Sequence, residues 1–160
     1  MVVNTAIGKA AMSAMDKKDR KIINVLQKGA DITNAALGEQ VGLSGPAVHE
    51  RIKRLKAAGI ILGNRLIVDP EKVGRSLLSF VLLKTNGSQK QKQVVQLQKI
   101  PEIEEIHSTA GQFSIMLKVR TENPAQMEEL YERIYAIPGI DTSETIIVFK
   151  SFLERATYVP

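Results

Sequence analysis

The sequence predicts an α+β chain in two parts: a winged helix-turn-helix of three short helices and a β-hairpin, then a ferredoxin-like βαββαβ domain. Three observations predict it. Residues 16–57 hold three apolar-periodic segments, the first opening on acids and the other two on capping side chains. Residues 76–160 read strand, helix, strand, strand, helix, strand. The charge also divides, with 13 Lys and Arg against 7 Asp and Glu over residues 1–75 (net +6) and 9 against 10 over 76–160 (net −1). A basic half joined to a near-neutral half suggests a module for polyanions fused to one that meets proteins or small molecules.

Asp16-Lys17-Lys18-Asp19 precedes Ile22, Ile23 and Leu26, and this spacing with acids in the first turn predicts an amphipathic helix of about three turns, closed by Gly29. Thr33 caps a second helix whose apolar face is Ala36, Leu37 and Val41, and Gly42 stops it. Ser44 caps a third. Its Pro46 falls in the first turn, where no intrahelical N–H is lost.

At about 100° per residue, Val48, Ile52 and Leu55 lie within roughly 60° of one another and face the other two helices. The opposite side carries Pro46, Ala47, Glu50, Lys53 and Arg54, flanked by His49 and Arg51. A serine-capped, cation-bearing helix after a glycine turn is how a helix-turn-helix presents a recognition helix to duplex DNA. Ser44 and the small residues Gly45, Pro46 and Ala47, with His49 and Glu50, are placed to meet base edges, Glu50 either accepting from a cytosine amino group or fending off wrong sequences. Lys53, Arg54, Arg51 and Arg65 are expected to anchor phosphates. Arg65 follows Ile60-Ile61-Leu62 and Gly63-Asn64, ahead of Leu66-Ile67-Val68, two apolar runs around a Gly-Asn turn that read as a β-hairpin.

Asp69-Pro70 closes this DNA-binding domain, taken as residues 16–70 with its helix-turn-helix motif at about 34–53. Residues 71–75 form a hinge, 76–160 a ligand-binding and oligomerisation domain, and 1–15 a disordered or helical extension. In the second domain, Ser76–Thr85 is an apolar strand and Gln89–Ile100 a helix ended by Pro101. Ile103–Ala110 and Phe113–Thr121 are strands around Gly111-Gln112. Asn123-Pro124 opens a helix through Ala136 with Met127, Leu130, Tyr131 and Ile134 inward, and Thr145–Phe149 and Phe152–Tyr158 supply the last strands. Such a sheet carries helices on one face and leaves the other for a partner. A second copy is expected there, setting two reading heads about 34 Å apart on DNA.

The rest of the composition narrows the function classes. There is no cysteine, so disulfides and thiolate metal sites are excluded. No run approaches the roughly 20 apolar residues of a membrane span, Met1–Met15 lacks a secretory core, and a cytoplasmic, nucleoid-associated protein is expected. His107 sits beside Glu104 and Glu105 in a strand, and Glu128, Glu129 and Glu132 crowd one helix. Both groups read as structural or solvated. With no P-loop, GxGxxG or HExxH, nothing supports an enzyme, a cofactor or a metal.

The order and spacing of several short pieces resemble the Lrp/AsnC (leucine-responsive, feast/famine) family of prokaryotic transcription regulators. They are Asp16-Lys17-Lys18-Asp19 with Ile22 and Leu26, Val41-Gly42-Leu43-Ser44, and Val48, Arg51, Ile52, Leu55, Gly59 and Ile61. Later come Ala110-Gly111, Leu117-Lys118 and Pro138-Gly139-Ile140. The resemblance implies a homodimer assembling into tetramers or octamers, and an effector, usually an amino acid, held at Ala110, Gly111, Gln112, Phe113, Ser114, Ser143 and Thr145. One departure is plain. Where the family usually reads Gly-Asp-x-Asp-Tyr, this chain has Gly111-Gln112-Phe113-Ser114-Ile115, so both acids are replaced by neutral groups whose hydrogen bonds are roughly half as strong. The alternative function is an architectural protein that compacts DNA without an effector.

Overall fold

The computed structural model describes residues 15–86 and 90–160. All but the last residue of the expected extension over 1–15 lies outside the described residues. The chain divides into two compact units, one running to Leu66 and joined by Glu154–Pro160, the other Ile67–Leu153.

In the first unit, α1 spans Lys17–Leu26, α2 Asn34–Val41 and α3 Gly45–Ala57. The start of α1 is a reciprocal cap: the Asp19 N–H donates to Asp16 Oδ1 at 2.8 Å and the Asp16 N–H to Asp19 Oδ2 at 3.0 Å. Thr33 and Ser44 cap α2 and α3 through the N–H groups of Ala36 and Ala47. Between those helices Gly42 takes φ 68°, the left-handed conformation that a helix-ending turn requires. The Lys18 ammonium donates to the Val41 and Gly42 carbonyls, tying α1 to this turn. Ile22, Leu37, Val41 and Val48 form the core, with Val25, Leu26, Ile32, Leu43 and Ile52 packed around it. Burying each of the larger ones stabilises the unit by about 1.5–3 kcal/mol.

The expected hairpin is not formed. Residues 61–69 hold no strand, and neither Gly63 nor Asn64 adopts the positive φ that a two-residue hairpin turn needs. Leu62, Leu66 and Ile67 are 94%, 88% and 91% exposed, so among the described residues these side chains find no surface on which a ladder could be stabilised.

The second unit holds β1 (Leu77–Thr85), α4 (Lys90–Leu97), β2 (Ile103–Ser108), β3 (Ile115–Thr121), α5 (Pro124–Tyr135) and β4 (Ile140–Ile147). The strands form one antiparallel sheet in the order β2-β3-β1-β4, as the ferredoxin-like expectation requires. In the register Leu83 opposes Ile115 on one side and Ser143 on the other. Val81, Leu83, Ile115, Leu117 and Val119 meet Leu97 of α4 and Met127, Leu130 and Ile134 of α5 in the core. Two strand expectations change. β4 begins at Ile140 rather than Thr145, because Gly139 at φ 85° turns the chain into the sheet immediately after α5, before the polar run Asp141-Thr142-Ser143. Phe152–Tyr158 form no strand; the Thr157 carbonyl instead accepts from Gln27 Nε2 at 2.9 Å.

Gly38 tests the packing of the helical turn. A methyl group at this position would press into the Leu43 carbonyl oxygen, a backbone atom fixed by the Leu43 N–H bond to the Gly38 carbonyl at 2.9 Å. Gly38→Ala is expected to destabilise the first unit by about 1–3 kcal/mol, read from urea unfolding of the full chain.

Candidate nucleic-acid interface and ligand loop

The N-terminal half of α3 offers a small, exposed surface. Ser44, Pro46, His49 and Glu50 are exposed, while Gly45 and Ala47 are half-buried. His49 Nδ1 lies 3.5 Å from the Asn34 amide nitrogen at the start of α2. One turn further, Lys53 and Lys56 are exposed, and with His49 and Ile52 they line one side of a cleft of about 430 Å³ completed by residues such as Leu26, Ile32 and Asn34. Arg65 is exposed on the segment after α3. Of these cations, Lys56 was not among the residues expected from sequence.

The two arginines of α3 have partners inside the unit. Arg51 Nη1 reaches Asp16 Oδ2 at 2.6 Å and Asp19 Oδ1 at 2.8 Å, and Arg54 Nη2 reaches Asp19 Oδ2 at 2.5 Å. Asp19 is wholly buried, while the Arg51 and Arg54 side chains are 26% and 55% exposed. The hydrogen bond to Asp16, then that to Asp19, raises the Arg51 guanidinium above its usual range, and Arg51 together with the Asp19 N–H holds the Asp16 carboxyl below its usual range. Asp16 and Asp19 were legible as acids in the first turn of a helix, but not as its reciprocal cap. That Asp19 pairs with side chains more than thirty residues away was not legible either.

In the second unit the loop between β2 and β3 is held by its own hydrogen bonds. The Thr109 hydroxyl donates to the Phe113 carbonyl at 2.8 Å, the Ser114 N–H donates to the Leu83 carbonyl at 2.9 Å, and the Ser114 and Thr85 hydroxyls are 2.8 Å apart. Ala110, Gly111 and Gln112 are exposed, with Gly111 at φ 128°. Ser143 pairs with the Tyr135 hydroxyl at 2.7 Å, whereas Thr145 Oγ1 is buried without a hydrogen-bond partner. Ser143 and the start of β3 flank Leu83 on opposite sides, so these two parts of the expected site stand two strands apart, about 10 Å. At the same end of the sheet, the Lys90 ammonium donates to Ser108 Oγ at 2.6 Å.

Residues 15–61 match the model of a winged helix-turn-helix DNA-binding domain, and residues 78–158 that of the Lrp/AsnC ligand binding domain. The chain belongs to the Lrp/AsnC family. It is 34% identical to the HTH-type transcriptional regulator FL11 of Pyrococcus horikoshii over 88% of this chain and 93% of that one. The leucine-responsive regulatory protein of Escherichia coli is 33% identical over 85% of each. Escherichia coli AsnC has the same fold, with a TM-score of 0.83 and 29% identity over 89% of this chain and 97% of that one. The protein is thus a DNA-binding transcription regulator of the Lrp/AsnC type, its two matched domains falling in the order read from the sequence. Among the described residues, no helix is long and apolar enough to cross a membrane.

The Asp16–Arg51 pair has a pH signature. Because the folded Asp16 pKa lies below its ordinary value, the carboxylate stabilises the fold above that ordinary value, and this contribution disappears as pH falls through the folded pKa. Asp16→Asn should therefore lower the unfolding midpoint near neutrality, with the gap to the wild type closing below about pH 4, in thermal melts across the acid range.

Proposed function

We propose that the chain reads double-stranded DNA through α3 as a homodimer in the cytoplasm, and that its second domain assembles copies and holds a small effector. One observation carries the DNA reading: the serine-capped N-terminal end of α3 is exposed and small, with the exposed cations Lys53 and Arg65 nearby in sequence. In this reading Ser44, Gly45, Pro46, Ala47, His49 and Glu50 approach base edges, and Lys53 and Arg65 anchor the backbone. The sheet face away from α4 and α5 supports a dimer. Phe80, Leu82 and Met116 are half-buried there and Ile146 is 50% exposed, an apolar stripe suited to a second copy. Association of such dimers into tetramers or octamers is the assembly expected of the family.

A duplex titration tests the interface. If a dimer makes about 6–10 phosphate contacts, log affinity falls with log salt at a slope of about −5 to −9, and a slope near zero would sink the reading. Lys53→Ala is expected to weaken binding to every sequence about equally and make the slope shallower by about one unit per reading head. Relaxed preference at one base pair would instead assign Lys53 to a base.

For the effector, Ala110, Gly111, Gln112, Phe113 and Ser114 with Ser143 and Thr145 form the proposed amino-acid site. Backbone groups of the exposed loop are its available polar contacts, while the Thr145 hydroxyl is buried and would need local opening to reach a ligand. A competing reading, architectural compaction without a ligand, draws on the hydroxyls of Ser114 and Ser143 already having internal partners. Thermal unfolding with each amino acid in turn separates them. A ligand at about 100 times its Kd raises stability by about 2.7 kcal/mol, so a selective rise in Tm supports the effector site and twenty flat responses support architecture.

A further inference from the structure

We propose that Asp19 is a positioning residue that withholds the Arg51 and Arg54 guanidiniums of α3 from the DNA backbone, so that the sequence-independent part of the affinity is set from inside the reading head. The inference rests on the reading that α3 faces DNA. By sequence α3 carries four cations, Arg51, Lys53, Arg54 and Lys56, all of which a basic recognition helix would be expected to offer to phosphate. In the folded unit two of them end on one carboxylate, whose Oδ1 takes Arg51 and whose Oδ2 takes Arg54. Asp19 Oδ2 also accepts the Asp16 N–H at 3.0 Å, and Arg51 holds Asp16 as a second acid at 2.6 Å. Two acids and two arginines thus cancel, and among the described residues no acid pairs with Lys53 or Lys56.

The competition between Asp19 and a phosphate is unequal. Asp19 has no solvent exposure, and a buried carboxylate stripped of its cations is strongly unfavourable. A phosphate contact at the protein surface is made in high dielectric and screened by salt within about 10 Å. Arg51, with two acids and a quarter of its side chain exposed, is held more firmly than Arg54, with one acid and half of it exposed. Arg54 is therefore the cation that removal of the Asp19 charge would release first, and each released cation that meets a phosphate adds about 0.9 to the salt slope.

The test is the salt dependence of binding of the full-length protein to one random-sequence duplex. Asp19→Asn keeps the shape and an oxygen for the Asp16 N–H while removing the charge. It is expected to tighten binding at low salt and steepen the slope by about one unit per reading head, and adding Arg54→Gln should remove most of that gain. If Asp19 acted only as a fold-holding residue, Asp19→Asn would lower the bound fraction at an unaltered slope, and that result overturns the proposal. A wild-type slope near zero would instead overturn the reading of α3 on which it rests. Should thermal unfolding show that Asp19→Asn does not fold, Arg54→Gln in the native background decides. A loss of less than half a unit of slope per head supports the withholding of Arg54, and any larger loss overturns it.

Discussion

Two helices can cover only one face of a four-stranded sheet, and the second unit is arranged around that constraint. Along β3 the side chains alternate strictly: Ile115, Leu117, Val119 and Thr121 point into the core under α4 and α5, while Met116, Lys118 and Arg120 stand on the other face. There the charged side chains pair across the ladder, with Lys118 3.5 Å from Glu104 and from Glu105, and Arg120 Nε 3.0 Å from Glu104. His107 adds to the same network 2.8 Å from Glu105, whose carboxyl it holds below the usual range. This face is therefore neither a second core nor a plain solvated surface. It carries apolar residues on β1 and β4 and a self-compensated charged patch on β2 and β3.

The first unit solves a different problem with the same economy of parts. Its buried aliphatic side chains among the described residues are Ile22, Ile23, Leu37, Val41, Val48 and Leu55, a small core for three helices. Polar ties supplement them: Lys18 to the carbonyls of the turn, and Asp16 and Asp19 to the arginines of α3. Directional bonds of this kind fix orientation where a small apolar contact would allow sliding.

Most of the fold was legible because it is written locally. Thr33, Gly42 and Ser44 each do at their own position what their chemistry favours, and the caps and the turn fall where those residues stand. The alternation of β3 and the periodicity of α5 are local too. What escaped were features decided by distant partners. Gly63-Asn64 has the composition of a hairpin turn, but Leu62, Leu66 and Ile67 beside it stay exposed, so tertiary context overrode the local signal. Asp141-Thr142-Ser143 has the composition of a loop, but β1 supplies the ladder that makes it strand. At the candidate site, the exposure of Ser44, Pro46, His49 and Glu50 follows from helical geometry alone. The engagement of Arg51 and Arg54 was invisible, since a periodicity can say which way a side chain leaves its helix but not which acid waits there.

The return of Glu154–Pro160 to the first unit has a consequence for the order in which the chain matures. Gln27 bonds the Thr157 carbonyl, a pairing across 130 residues. During synthesis the three helices emerge first and, their contacts being local, are free to pack early. Their last hydrogen bonds must wait until the whole of the second unit has been made. A nascent reading head is thus complete in outline long before it is complete in bonding, because a contact within its own unit waits on residues that follow the whole of the second.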